Sequence, residues 1–182
     1  MILEKQIKKL YMKAKVINLV GGPGSGKSTA MAGVFYNLKK LGINCEIVTE
    51  YVKDKVWEES YYVMKDQLYL SAKYYHKLWR VADKVDYIIT DSSLLSGVLY
   101  YEDRTETFER LMIEQYNKFD NILYFLNRDD SFFQTVGRIE DLEKSKEIDI
   151  KIKDFLDKYK IPYKEINAGS ASEIIFKDIL TL

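Results

Sequence analysis

The sequence predicts an α/β fold built on a mainly parallel five-stranded sheet with helices on both faces. Three observations carry that reading. Short β-rich apolar runs alternate with longer stretches in which apolar residues recur at helical spacing. The first run ends in a glycine-rich turn that leads directly into a helix. The chain has 182 residues, 47% hydrophobic and 31% charged. That suits one domain with a substantial core, so residues 1–182 are read as a single unit without repeat or linker.

Residues 1–14 alternate Lys with Ile and Leu, which fits a short amphipathic helix or a loose arm. Residues 16–20 (Val-Ile-Asn-Leu-Val) form the first buried strand, ended by Gly21-Gly22. From Lys27 to Leu41 the apolar residues Met31, Val34, Phe35, Leu38 and Leu41 repeat every 3.6 positions, and Gly42 stands where a C′ glycine ends a helix. Residues 44–49 are the second strand. Helices are expected near 54–62 and 65–83, the second with an apolar face of Leu68, Ala72, Tyr75, Leu78, Trp79 and Ala82. Residues 85–90 are the third strand, 105–118 a helix and 121–126 the fourth strand. A polar, lid-like segment covers 127–138. A long helix follows over 139–159, with Ile148, Ile152, Phe155, Leu156 and Tyr159 on one side. A short strand, 163–166, and a last helix, 171–181, close the chain.

Composition narrows the function classes. Formal net charge is zero, which argues against bulk non-specific binding to nucleic acid. Lys5, Lys8, Lys9, Lys13 and Lys15 could still form a local patch for DNA or RNA. The single cysteine, Cys45, rules out an internal disulfide and points to a reducing compartment. It sits in an apolar run and is read as a buried structural thiol. No apolar run reaches about 18 residues, and the N-terminal lysines interrupt any leader-like segment. A cytoplasmic protein without membrane contact is expected. A homodimer is compatible with the sequence.

The turn after the first strand has the pattern Gly-x4-Gly-Lys-Ser, filled by Gly21, Gly26, Lys27 and Ser28. Each residue type has a reason. Glycines let successive backbone N–H groups curl toward one anion, and the following helix aims its positive end there. Gly22, Pro23, Gly24, Ser25, Gly26, Lys27, Ser28 and Thr29 are therefore the candidate nucleoside triphosphate site. Lys27 would bridge the terminal phosphates, and Ser28 would offer an oxygen to Mg²⁺. The fold expected is the three-layer P-loop NTPase type, of the nucleoside or nucleotide kinase kind.

Ligands of open α/β sheets bind beyond the carboxyl ends of the strands. Glu50 and Asp91 follow the second and third strands. Phosphoryl transfer needs a carboxylate to orient and deprotonate the attacking hydroxyl, and an acid near Mg²⁺. Asp91 is assigned mainly to Mg²⁺ and catalysis and Glu50 mainly to the acceptor hydroxyl, with an exchange of roles left open; capping of a following helix is the structural alternative for either. Arg128 and Arg138 flank the polar segment and could offset transition-state charge on a closing lid hinged at Gly137. Surface ion pairs with Asp129, Glu140 or Asp141 are the alternative. Between the second and third strands lie Tyr51, Lys53, Trp57, Asp66 and Gln67. There an aromatic could stack on a base while Gln67 or Asp66 reads its edge. The lone histidine, His76, is read as structural.

These residues resemble a known family. Glu50-Tyr51-Val52-Lys53 is similar to the Glu-Tyr-Gly-Arg stretch of the ribosylnicotinamide kinase domain in the bacterial NAD-biosynthesis regulator. Asp91-Ser92-Ser93 stands where that family has Asp-Thr-Asp, and residues 156–166 also look similar. The resemblance implies a small P-loop kinase using ATP and Mg²⁺. Lys53 replaces an arginine and Ser93 replaces an acid, which weakens nicotinamide riboside as substrate. Related small kinases of bacterial viruses act on nucleotides or on modified pyrimidines in DNA. Three readings follow: a kinase of a nucleoside- or nucleotide-like acceptor, a kinase of a hydroxyl in DNA or RNA, or an NTPase without a small-molecule acceptor. The last is disfavoured. Asn127-Arg128-Asp129-Asp130 departs from a guanine-reading Asn-Lys-x-Asp, and Asp91-Ser92 departs from the Asp-Glu of ring ATPases.

Overall fold

A computed structural model describes residues 12–99, 101, 105–133 and 140–182, with the side chains of Lys53 and Phe132 outside the description. Arg138, Gly137, Lys5, Lys8 and Lys9, singled out above, lie outside the described residues.

Five strands form one all-parallel sheet: β1 (Lys15–Val20), β2 (Cys45–Val48), β3 (Tyr87–Thr90), β4 (Asp120–Asn127) and β5 (Lys164–Asn167), in the order β2-β3-β1-β4-β5. β1 is central because its residues are apolar on both sides of the pleat, as a strand covered on both faces must be. Val16 and Val20 pack into one core cluster, Ile17 and Leu19 into the other. The second cluster is closed by α1 (Lys27–Lys40) and α7 (Ala171–Ile179), through Met31, Val34, Leu38, Ile175 and Ile179. The first is closed by α3 (Gln67–Trp79), α5 (Glu106–Tyr116) and α6 (Leu142–Lys158), through Tyr74, Leu78, Phe108, Met112, Ile148, Ile152 and Phe155. Cys45 is buried in the second cluster, and burial pushes its thiol pKa up, as expected of a structural thiol.

Gly42 ends α1 as the sequence predicts. Its φ is +71°. Its N–H donates to the Lys39 carbonyl at 3.0 Å while the Ile43 N–H reaches the Leu38 carbonyl at 3.1 Å. That pair of bonds satisfies carbonyls the helix would otherwise leave open.

Two expectations are corrected and one element is added. The helix expected over 54–62 is α2, Val52–Trp57, followed by a separate 3₁₀ turn at Tyr61–Lys65. Glu59 adopts φ +53°, which no continuing right-handed helix allows. The buried face of α3 is Gln67, Leu70, Ser71, Tyr74 and Leu78, whereas Leu68 and Trp79 are exposed. The helix turns two polar residues inward because a cleft lies there, and the apolar count alone selects the wrong stripe. A further helix, α4 (Ser96–Leu99), leaves no periodic signal because four residues are too few for a repeat.

Parallel pairing sets the strand ends together. Asn18 lies opposite Thr90, and Val48 opposite Thr90. The turns that begin at Gly21, Thr49 and Asp91 therefore meet at one edge of the sheet.

Candidate functional site

The glycine-rich loop runs from β1 into α1. Gly26 occupies the N-cap position with φ +85°, a left-handed conformation that a Cβ would strain. Ser28 and Thr29, on the first turn of α1, are exposed. The Lys27 ammonium folds back onto the loop, donating to the Gly21 carbonyl at 2.6 Å, the Gly22 carbonyl at 2.8 Å and the Ser25 hydroxyl at 3.3 Å. Burial pushes the Lys27 pKa below its ordinary value, opposed by the carboxylates of Glu50, Asp91 and Asp149 and reinforced by Arg128.

Asp91 joins this loop to the neighbouring strand end. It is 5% exposed. Its Oδ2 accepts the Ser28 hydroxyl at 2.6 Å and its Oδ1 accepts the Glu50 N–H at 3.1 Å. Asp91 therefore ties the first turn of α1 to the β2 end. Ser28 and Asp91 present hard oxygen atoms side by side, the donor chemistry that suits Mg²⁺ when nucleotide phosphates supply the remaining ligands. Among the described residues no group of three or more His, Cys, Asp or Glu forms a metal cluster of its own.

Beside the loop lies a small open cleft, with Glu50, Tyr51, Gln67, Ser71, Ser92 and Ser93 in its lining. Gln67 is buried at the start of α3 and its amide donates to the Met64 carbonyl at 2.5 Å. Ser71 is buried and its hydroxyl has no partner. Tyr74 backs the cleft, its hydroxyl 2.5 Å from that of Thr90, and burial raises its pKa. Among the described side chains no lysine or arginine lines the cleft.

Other candidates are placed differently. Trp57 is 64% exposed and stands outside the cleft lining. Lys53 belongs to α2 but its side chain is outside the description. Asp66 caps α3, accepting the Tyr69 N–H at 3.0 Å, so it is spent on the helix end rather than on a ligand edge. His76 stacks on Trp79 at 5.9 Å. Arg128 makes none of the three surface pairs considered for it. Its side chain is 7% exposed and pairs with Asp149 on α6. Nη1 also donates to the Pro23 carbonyl at 3.0 Å.

Asp149 and Ser145 escaped the sequence reading. Both fall on the stripe of Ile148 and Ile152, so the available signal was a polar residue on an apolar face. The same signal marks Gln67 and Ser71 on α3. Helix α6 approaches the loop so closely that a Cβ at Gly22 would stand 2.3 Å from the Ser145 carbonyl oxygen. Gly22→Ala is therefore expected to destabilise the fold by about 1–3 kcal/mol, because backbone rather than a movable side-chain tip must give way. Urea unfolding of the purified variant checks this; an unchanged midpoint would show that α6 shifts freely.

No helix of the described residues is long and apolar enough to cross a membrane. A sequence profile of a family described as an AAA domain matches residues 16–173. No curated protein matches the chain in sequence. Among the solved structures similar to it are two of deoxyadenosine kinase from M.mycoides. The one with bound dATP is 23% identical, with 91% of this chain and 99% of that chain covered and a TM-score of 0.58. The one with products dCMP and a flexible dCDP is 22% identical, with 91% and 98% covered and a TM-score of 0.59. The likeness establishes a nucleoside kinase-like α/β fold.

Proposed function

The chain belongs to the AAA domain family, and on that premise we propose that it is an ATP- and Mg²⁺-dependent phosphotransferase acting on a nucleoside-like hydroxyl. One observation carries the proposal. A phosphate loop, two carboxyl side chains and a cleft of mixed polar and apolar lining share one sheet edge, joined through Asp91. A protein that only hydrolyses nucleotide has no need of the cleft.

The loop amides of residues 24–28 hold the triphosphate, and Lys27 exchanges its loop carbonyls for phosphate oxygens. Ser28 and Asp91 would hold Mg²⁺, which when bound would supply positive charge against the phosphates. Glu50, at the mouth of the cleft, orients the acceptor hydroxyl and takes its proton. Tyr51 and Gln67 contact the acceptor, the first by its ring and the second by its amide. Arg138, on the lid-like segment, is assigned to the transferred phosphoryl group.

The cleft also bears on the acceptor's charge. A nucleotide monophosphate brings two negative charges, which need cations to offset them. The polar groups of the described lining are hydroxyls, an amide and the Glu50 carboxyl, beside the apolar Val52, Leu70 and Leu94. An uncharged acceptor such as a nucleoside fits that lining better. Of the N-terminal lysines the two described, Lys13 and Lys15, pair with Asp86 and Asp120.

Incubation with [γ-³²P]ATP, Mg²⁺ and a panel of nucleosides, nucleoside monophosphates and modified oligonucleotides tests this. Label is expected on a nucleoside, with kcat/KM at least about tenfold above its monophosphate. Label only on monophosphates or oligonucleotides would overturn the acceptor class. ATP turnover indifferent to every acceptor would return the NTPase reading.

A further inference from the structure

We propose that Asp149 is a positioning residue for the nucleotide, holding the phosphate loop in shape from α6 together with Ser145 and Arg128. The inference rests on the nucleotide-binding reading above.

The Asp149 carboxylate is divided between two tasks. Oδ1 accepts the Gly22 N–H at 2.6 Å. Oδ2 accepts from the Arg128 guanidinium, through Nε at 2.9 Å and through Nη2. Arg128 then donates Nη1 to the Pro23 carbonyl and Nη2 to the Ser145 carbonyl at 3.3 Å. The Ser145 hydroxyl donates to the same Pro23 carbonyl at 2.5 Å. Two successive loop residues are thus gripped by three side chains from the end of β4 and from α6. These side chains are 7% exposed for Arg128, 18% for Asp149 and 0% for Ser145.

A glycine-rich loop has unusual conformational freedom to lose when it closes on a ligand. That loss is subtracted from affinity, and a loop held in shape beforehand loses less. A buried ion pair alone adds little stability once desolvation is counted. Here the ion pair is completed by bonds to the loop backbone, so its effect falls on the loop's geometry. The same bonds assign Arg128 to bracing rather than to the transferred phosphate, since Nε, Nη1 and Nη2 all have acceptors.

Calorimetric titration with ATP and with ADP, each with Mg²⁺, tests the proposal alongside the melting temperature of each nucleotide-free protein. Asp149→Ala is expected to weaken both nucleotides by about 10- to 100-fold. Asp149→Asn keeps an acceptor for the Gly22 N–H and should recover part of that loss. In steady-state assays KM for ATP should rise more than kcat falls. Glu109→Gln is the control. Glu109, on α5, is buried against the C-terminal end of α6, bonded to Lys158 and Tyr159. That variant should melt lower yet bind nucleotide as the unaltered chain does.

Unaltered affinity in Asp149→Ala would overturn the proposal, as would an equal loss in Glu109→Gln, which would reduce the effect to general destabilisation. Should Asp149→Ala fail to fold, unaltered affinity in both Asp149→Asn and Ser145→Ala would overturn it equally. A native chain that takes up neither nucleotide would remove the proposed function and this inference with it.

Discussion

Lys27→Met is expected to lower phosphoryl transfer by about a thousandfold while leaving the nucleotide-free protein more resistant to heat. The first effect follows from charge. The ammonium is the one cation the loop itself supplies, and transfer spreads negative charge over oxygens that it is placed to meet. The second follows from desolvation. Burial is the leading influence on Lys27 and lowers its folded-state pKa from an ordinary value of 10.5. Below the lowered value both folded and unfolded chains carry the proton, and the folded chain bears the full desolvation cost. Between the lowered value and 10.5 the unfolded chain binds more protons, so stability rises with pH through that window. Methionine removes the cost at neutral pH and removes Lys27's share of the alkaline rise. It also forfeits the bonds to Gly21, Gly22 and Ser25. Scanning calorimetry at pH 7 and at pH 10 reads the balance. A lower melting temperature at pH 7 would show that those three bonds outweigh desolvation.

Asp91→Asn is expected to reduce transfer by about a hundredfold to ten-thousandfold with ATP affinity in the absence of Mg²⁺ changed only a few-fold. Both carboxylate oxygens are committed, one to the Ser28 hydroxyl and one to the Glu50 N–H. An asparagine has one oxygen and one NH₂ group. Its oxygen can keep the Glu50 N–H, while its NH₂ must donate to the Ser28 hydroxyl, reversing that bond. The site loses the charge that suits Mg²⁺, and the Ser28 oxygen is turned from donor to acceptor toward residue 91. Transfer assays over a range of Mg²⁺ separate the two losses. If saturating Mg²⁺ restores the rate, Asp91 served mainly to bind the ion. If the rate stays low, the carboxylate's bond from Ser28 matters in its own right. Full activity at ordinary Mg²⁺ would reject both roles.

The sheet was legible because its strands are short, β-rich and punctuated. Gly21 and Gly42 announce their turns, and each strand end lies within two residues of its expected place. The helix α3 was legible in extent but not in orientation. Gln67 and Ser71 are polar, so a count of apolar residues assigns them to solvent, yet they are buried against the cleft. Arg128 shows the same gap at longer range. Near it in sequence are Asp129 and Asp130, but its partner is Asp149, 21 residues away on another element.

Local chemistry is written in the order of residues. The phosphate loop needs glycines, a lysine and a serine in fixed succession, and the alternation of strand and helix needs only periodicity, so the sequence alone determined the fold class and the candidate phosphate site. Which side chains share a carboxylate, which polar face of α3 closes the cleft, and how α6 reaches Gly22 were decided only in three dimensions. Those contacts join residues 28 to 91, 50 to 91 and 22 to 149. Their distances are set by parallel strand pairing and helix packing, which a linear pattern does not encode.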